Sequence, residues 1–246
     1  MTCVKPNMLY NSRAGKHFGN FNVIQIGVFR ILFSIFQNIG ALNFLAHTYL
    51  SGCNEQIILG NFMGDYVKGK DYLQFPEMVK KGILIHRDID SFTDMHPITR
   101  RNKQRIAGKY HKYAGIIVDI FYDHFLASLW ERYADLPLKD FVSRTYDLLK
   151  RNYQVLPAAI KRWFPTFLEN NWMIAYQSVD GIELVLERMA ANTSLPDYAS
   201  YAVGVLSEQY DLFQEDFLEF FPLIISFLEE KYEISIITDR KNYPES

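Results

Sequence analysis

Pro76-Glu-Met-Val79-Lys-Lys-Gly82-Ile83-Leu-Ile-His86-Arg-Asp-Ile89-Asp90-Ser-Phe-Thr-Asp94 is the stretch that decides how this chain is read. Val79, Gly82, Ile83, His86, Ile89 and Asp90 recur at spacings of three and four, so a helix carries them near one face. Pro76 suits the first turn of that helix, where a missing amide proton costs nothing. His86 and Asp90 thereby share a core-facing stripe with apolar neighbours. Charged groups on such a stripe need a partner, because burying them unpaired is expensive. Asp94 follows four residues later. A histidine and two carboxylates stacked this way can hold a divalent metal, while ordinary polar pairing along a helix is the plainer alternative.

The pattern repeats on either side. Asp119, Asp123 and His124 lie in Ile-Ile-Val-Asp119-Ile-Phe-Tyr-Asp123-His124-Phe-Leu, a strongly apolar helix expected from Gly115 to about Tyr133. Carboxylates four apart in such a run would repel one another or shift their pKa values, and a shared cation removes both problems. Capping or pairing with arginines is the alternative. The neighbouring Asp123 and His124 also allow an arrangement in which a carboxylate orients a ligand elsewhere. Upstream, His47 and Asp65 are weak by themselves and gain weight only beside these two clusters. Asn54 reads as the N-cap of a helix running to about Lys68 and closed by Gly69. Further helical patterns cover 138–153, 157–176, 180–191 and 197–232, with Pro165 and Pro222 expected to kink or divide two of them. Strict alternation is scarce, and no repeat or low-complexity linker appears. The chain reads as one all-α, multi-helix domain.

Composition sets wider bounds. A chain of 246 residues with 49% hydrophobic and 15% aromatic residues has ample material for a core. The formal net charge of −2 gives no global pull toward nucleic acid or membrane. Cys3 and Cys53 form neither a disulfide framework nor a ligand pair, which suits a cytoplasmic protein. Residues 1–22 are polar and turn-prone, and 23–36 are apolar but interrupted by Arg30 and closed by Gln37 and Asn38. That falls short of the ~20 apolar residues of a transmembrane span, so a short hydrophobic helix is expected, with weak membrane contact by 23–36 as the alternative. The tail from Thr238 is polar and expected to fray. Ile85-His86-Arg87-Asp88 resembles a kinase catalytic loop only superficially, since Thr93 stands where the asparagine belongs and no Gly-rich loop or Asp-Phe-Gly accompanies it. Serine-hydrolase, Rossmann and P-loop signatures are absent too.

Four stretches in register carry a resemblance. They are Asn43-Phe-Leu-Ala-His47, Gly60-Asn-Phe-Met-Gly-Asp65-Tyr-Val-Lys-Gly69, Gly82 to Asp94, and Asp119-Ile-Phe-Tyr-Asp123-His124-Phe-Leu126. Together they resemble the acyl carrier protein phosphodiesterases, also called acyl carrier protein hydrolases, over roughly Asn43 to Tyr232. Family members usually begin at Met-Asn-Phe-Leu-Ala-His, where this chain has Leu42 before Asn43, so residues 1–42 are expected to be an extension or an upstream start. The resemblance implies an all-α domain over 43–232, related to the HD-type metal phosphohydrolases, followed by a tail at 233–246. It implies a manganese-dependent enzyme, with Mg²⁺ or another divalent metal as alternatives, that removes 4′-phosphopantetheine from holo acyl carrier protein. No His-Asp dipeptide of the usual HD kind exists in this chain; His86…Asp90 and the reversed Asp123-His124 stand in its place.

On this reading His86, Asp90 and Asp123 are the leading metal ligands, with His47, His124 and Asp65 next. Arg87 or Lys68 would hold non-bridging phosphate oxygens. Asp94 and Asp119, with Asp65, would orient ligands or assist deprotonation of water. The segment Thr99–Lys112 holds six lysines or arginines and no acid. Arg100, Arg101, Lys103, Arg105, Lys109 and Lys112 therefore form a candidate docking face for an acidic carrier protein, with a solvated loop as the alternative. Nucleic acid is not the expected partner, because interleaved stacking aromatics are missing. A phosphohydrolase of nucleotides or other small phosphoesters, and a non-catalytic carrier-protein binder, are the rival readings.

Overall fold

The computed structural model describes residues 43–236, and every regular element among them is helical. In chain order the helices are α1 (Phe44–Tyr49), α2 (Glu55–Phe62), α3 (Glu77–Met95), α4 (Pro97–Tyr110), α5 (Ala114–Ser128) and α6 (Leu138–Arg151). They continue as α7 (Ala158–Glu169), α8 (Trp172–Ala175), α9 (Val179–Asn192), α10 (Ala199–Glu208) and α11 (Tyr210–Tyr232). All lie within one compact unit, Phe36–Ser246. The all-α expectation holds. The apolar run 23–36 and the tail from Thr238 lie outside the described residues.

Helix α5 is apolar on nearly every side, and a helix of that kind belongs in the interior. Ile117, Val118, Ile120, Phe121, Phe125 and Leu126 are fully buried along it. Helix α11 packs its aromatic stripe onto α5, with ring centroids 5.2 Å apart for Phe121 and Phe213 and 5.1 Å for Tyr122 and Phe220. Helix α4 is tied to α11 by Arg101 and Arg105, whose guanidiniums both donate to the buried carboxylate of Asp216.

The other half of the arrangement depends on two glycines. A methyl on Gly60 would strike the carbonyl of Val79, and one on Gly82 would strike the carbonyl of Ile57. Their lack of a side chain lets α2 and α3 approach backbone to backbone. This contact carries the chemistry of α3 against that of α1 and α2.

Several boundaries differ from the sequence expectations. The helix capped by Asn54, whose Oδ1 accepts from Gln56 N and Ile57 N at 3.0 and 3.2 Å, stops at Phe62 rather than near Lys68. A tight turn, Gly64–Tyr66, follows, because Gly64 sits where any side chain would collide with the His86 ring. The basic stretch, for which a solvated loop was the alternative, is continuous helix α4 through Gly108 to Tyr110. The long patterns break elsewhere than at their prolines: α7 ends at Glu169, shortly before Asn171 in the left-handed region at φ 48°, while α10 and α11 part at Gln209. Pro165 and Pro222 remain inside helices. Each removes one helical hydrogen bond, and burial of Phe164 and Phe167, or of Phe220, Phe221 and Ile224, outweighs that loss. No helix among the described residues is long and apolar enough to cross a membrane.

Gly60→Ala and Gly82→Ala should each destabilise the protein by about 1–3 kcal/mol, the usual cost of forcing a methyl into a closed contact. Urea denaturation checks this, with a lowered midpoint at constant slope as the expected result.

Candidate metal centre

Helix α1 is only six residues long, and Asn43 at its N-cap offers no side-chain hydrogen bond. The missing cap comes from α5. The Asp123 carboxyl accepts from Leu45 N at 3.2 Å and from Ala46 N at 2.8 Å, which serves two buried helix-terminal amides that have no partner within the helix. Burial pushes the Asp123 carboxyl well above the usual range against the pull of those two amides, and nearby Asp119 pushes the same way. His47 leaves α1 immediately after the capped amides.

His47 meets His86 of α3 with ring centroids 4.4 Å apart. Asp90, one turn beyond His86, lies between their outer nitrogens, with one oxygen 3.3 Å from His47 Nε2 and the other 3.3 Å from His86 Nε2. Asp65, on the turn made possible by Gly64, comes within 3.4 Å of His86 Nε2. Both Nε2 atoms are buried and neither has a hydrogen-bond partner. One donor atom from each of His47, His86 and Asp90 falls within 4.8 Å of the others. Two orphaned imidazole nitrogens facing carboxylate oxygens are what a divalent cation satisfies, so these residues fit a metal ion.

The electrostatics agree. Burial pushes the His86 imidazolium down, but Asp65 and Asp90 outweigh it and raise its pKa to about 9. Burial likewise pushes Asp90 up, yet the two imidazoles hold it below the usual carboxylate range. Asp119 is raised to about 8, first by burial and then by the charges of Asp90 and Asp94, eased by Lys103 and raised further by Asp65. Four carboxylates crowd one place, and a proton on His86 partly neutralises them in the absence of a metal.

The centre opens into a cleft of about 700 Å³. Asp65, Asp90, Asp94 and Asp119 line it together with Lys103, His111 and Lys112. Lys103 Nζ is 2.5 Å from Asp94 Oδ1. Its stem lies 3.3 Å from the place a Cβ on Gly115 would occupy. Opposite charges thus share a single opening.

The residues expected from sequence separate into three groups. His47, His86 and Asp90 come together, with Asp65, Asp94 and Asp119 around the same cleft. Asp123 lies behind them on the α1 amides, and His124 points elsewhere, with Nδ1 2.8 Å from Tyr176 O and Nε2 3.0 Å from Tyr210 Oη. Burial lowers the His124 pKa, which suits a neutral ring spanning two protein partners. Arg87 donates to Val67 O at 2.9 Å and lies over the Tyr72 ring, and neither it nor exposed Lys68 lines the cleft. The basic set divides as well. Lys103 and Lys112 line the cleft, Arg101 and Arg105 serve Asp216, and Arg100 and Lys109 are exposed, Lys109 over the rings of Tyr198 and Tyr201.

Sequence reasoning missed His111 and Asn61. His111 lies in the basic segment and lines the cleft. Asn61 sits inside the quoted Gly60–Asp65 motif, and its Oδ1 lies 2.9 Å from His47 Nδ1 and 3.2 Å from His86 Nδ1. Membership of that motif was its one signal.

Comparison with known proteins gives a consistent result. The model of a family described as "Acyl carrier protein phosphodiesterase" matches residues 42–224. Curated relatives of that name from Escherichia coli strains K12 / DH10B and SE11 are each 30% identical over 189 residues, covering 75% of this chain and 96% of the relative. No solved structure matches.

A cation can take His86 Nε2 only after the proton there has left, and in the metal-free protein that proton leaves near pH 9. Divalent-metal affinity should therefore rise with pH below that value, by up to about tenfold per unit for each proton released. Calorimetric titration with Mn²⁺ near pH 6.5 and near pH 8 measures this. A pH-independent affinity would place the cation elsewhere.

Proposed function

The chain belongs to the acyl carrier protein phosphodiesterase family, and from that premise we propose that its cleft hydrolyses the phosphodiester of holo acyl carrier protein. Water adds to phosphorus, the bond to the carrier serine oxygen breaks, and the products are 4′-phosphopantetheine and the apo protein with a free serine hydroxyl. One observation carries this reading to specific residues. Two buried, unpartnered imidazole nitrogens meet the carboxylate of Asp90, and Asp90 lines the same cleft as Lys103 and Lys112.

His47, His86 and Asp90 would hold the divalent ion, with Asp65 beside them. The mixed nitrogen and oxygen donors suit Mn²⁺, and Mg²⁺ or another divalent metal is the alternative. When bound, such an ion neutralises phosphate charge and lowers the pKa of attacking water. The remaining work falls to the chain. Lys103 and Lys112 offer cations to the non-bridging phosphate oxygens, so Lys103 exchanges Asp94 for substrate. Asp119 lines the cleft beside Asp65 and Asp90, a place from which its carboxylate would accept a proton from water. Asp123 acts on the centre through α1, by holding the helix that presents His47. Arg100 and Lys109 are exposed on α4, the helix that also carries Lys103, and would serve as docking points for the acidic carrier protein. Arg101 and Arg105 contribute less, since Asp216 already takes up part of their charge. We place the reaction in the cytoplasm.

Incubation of the protein with holo carrier protein and Mn²⁺, read by mass, should show loss of the prosthetic group. His86→Ala and Asp90→Ala should reduce that loss to background while the helical circular dichroism is kept. Full turnover by both variants would remove the metal assignment, and equal turnover of a nucleotide panel would favour the small-phosphoester reading. Lys103→Ala should lower kcat/KM by about ten- to hundredfold, the value of a charged hydrogen bond to phosphate. Reversing Arg100 and Lys109 to glutamate should raise the carrier-protein KM, flatten its salt dependence and leave kcat unchanged; an unaltered KM would sink the docking face.

A further inference from the structure

Asn61 is completely buried on α2 and makes hydrogen bonds through both ends of its amide. Which end is which follows from the partners. One terminal atom lies 2.9 Å from the backbone carbonyl oxygen of His47, which can only accept, so that atom must be the amide nitrogen. The same nitrogen donates to Ser51 Oγ at 2.8 Å, and the Ser51 hydroxyl in turn donates to His47 O at 2.8 Å. The other terminal atom is therefore the carbonyl oxygen, with two lone pairs and no proton. It faces Nδ1 of His47 and Nδ1 of His86 at 2.9 and 3.2 Å. An oxygen that only accepts obliges both ring nitrogens to donate.

We propose that Asn61 is the positioning residue of the metal centre: one amide oxygen fixes both imidazoles as Nδ1–H and turns both Nε2 atoms toward Asp90. This inference rests on the metal reading above. The orphaned state of the two Nε2 atoms is its structural counterpart, since each ring's other nitrogen is satisfied by the same group. Asn61 itself is locked by Ser51 and the His47 carbonyl, so every donor and acceptor of its amide is used and the group cannot turn over without breaking the set. Buried networks that are fully satisfied specify one arrangement. Partners that orient metal-bound histidines typically contribute 10–100-fold to metal affinity. A single asparagine doing this for two histidines from different helices also sets their mutual spacing, because both rings are measured from one atom.

The test compares metal binding and ring protonation. Wild-type protein is titrated with Mn²⁺ by calorimetry, alongside Asn61→Leu, which keeps the volume and removes the acceptor, and Asn61→Asp, which keeps the acceptor. The proposal expects Asn61→Leu to weaken binding by about 10–100-fold and Asn61→Asp to restore much of the loss. Equal affinity in folded Asn61→Leu would overturn it, and so would equal loss in both variants. Long-range proton–nitrogen spectra of wild-type protein loaded with diamagnetic Zn²⁺ provide a measurement that needs no variant. Protons on Nδ1 of both His47 and His86 support the proposal, and a proton on Nε2 of either ring refutes it even if both variants fail to fold. Failure of the wild type to bind any divalent ion would instead overturn the metal reading, and this inference with it.

Discussion

The backbone contact between α2 and α3 is the constraint on which the site depends. Gly60 and Gly82 leave each helix bare where it meets a carbonyl of the other, so the two axes lie closer than side chains would allow. At that separation an asparagine on α2 can reach a histidine on α3, and Asp65, just beyond α2, can reach the same ring. A wider spacing would leave His86 with nothing but its own helix partner, Asp90. The glycines carry no chemistry, yet they set the distance across which the chemistry is done.

From that contact the rest follows by accommodation. The interior of the fold is aromatic and closed around α5, and the polar groups it buries are those with defined partners: Asp123 on two amides, His124 on a carbonyl and a phenol, Asp216 on two arginines. Among the unpartnered buried atoms, two are imidazole nitrogens that meet one carboxylate, Asp90. Two imidazole nitrogens unsatisfied beside an over-full set of carboxylates would be poor design in a structural protein. In a phosphodiesterase that loads a cation and receives a phosphate, the mismatch is the working state without its ligands. The neighbouring lysines carry the complementary half of the charge and meet the acids in one opening.

How much of this was legible in the chain depended on distance along it. The helices were readable because apolar spacing reports the buried face of an element locally. His86 and Asp90 were readable for the same reason, being one turn apart on a stripe that had to point inward. Asn61 was not, since a buried asparagine becomes meaningful only when residues 14 and 25 positions away arrive at its oxygen. The basic segment showed its charge but not how that charge divides, because sequence gives no sign that Asp216, over a hundred residues later, will engage two of its arginines. The prolines misled in the opposite direction. They weaken a helix locally, but Asn171 and Gln209 are the places where packing no longer holds the helix together.

The capped helix α1 ties one histidine of the centre to the core of the fold. Six residues are far too few to hold a helix in water, where nucleation alone is unfavourable. The helix exists because a carboxylate from α5 closes its first turn, and that carboxylate is in place only once α5 is enclosed by its neighbours. His47 is thus carried by an element whose helical form depends on the packed interior. The position of the His47 ring is therefore set by the packing around α5 as much as by its own helix.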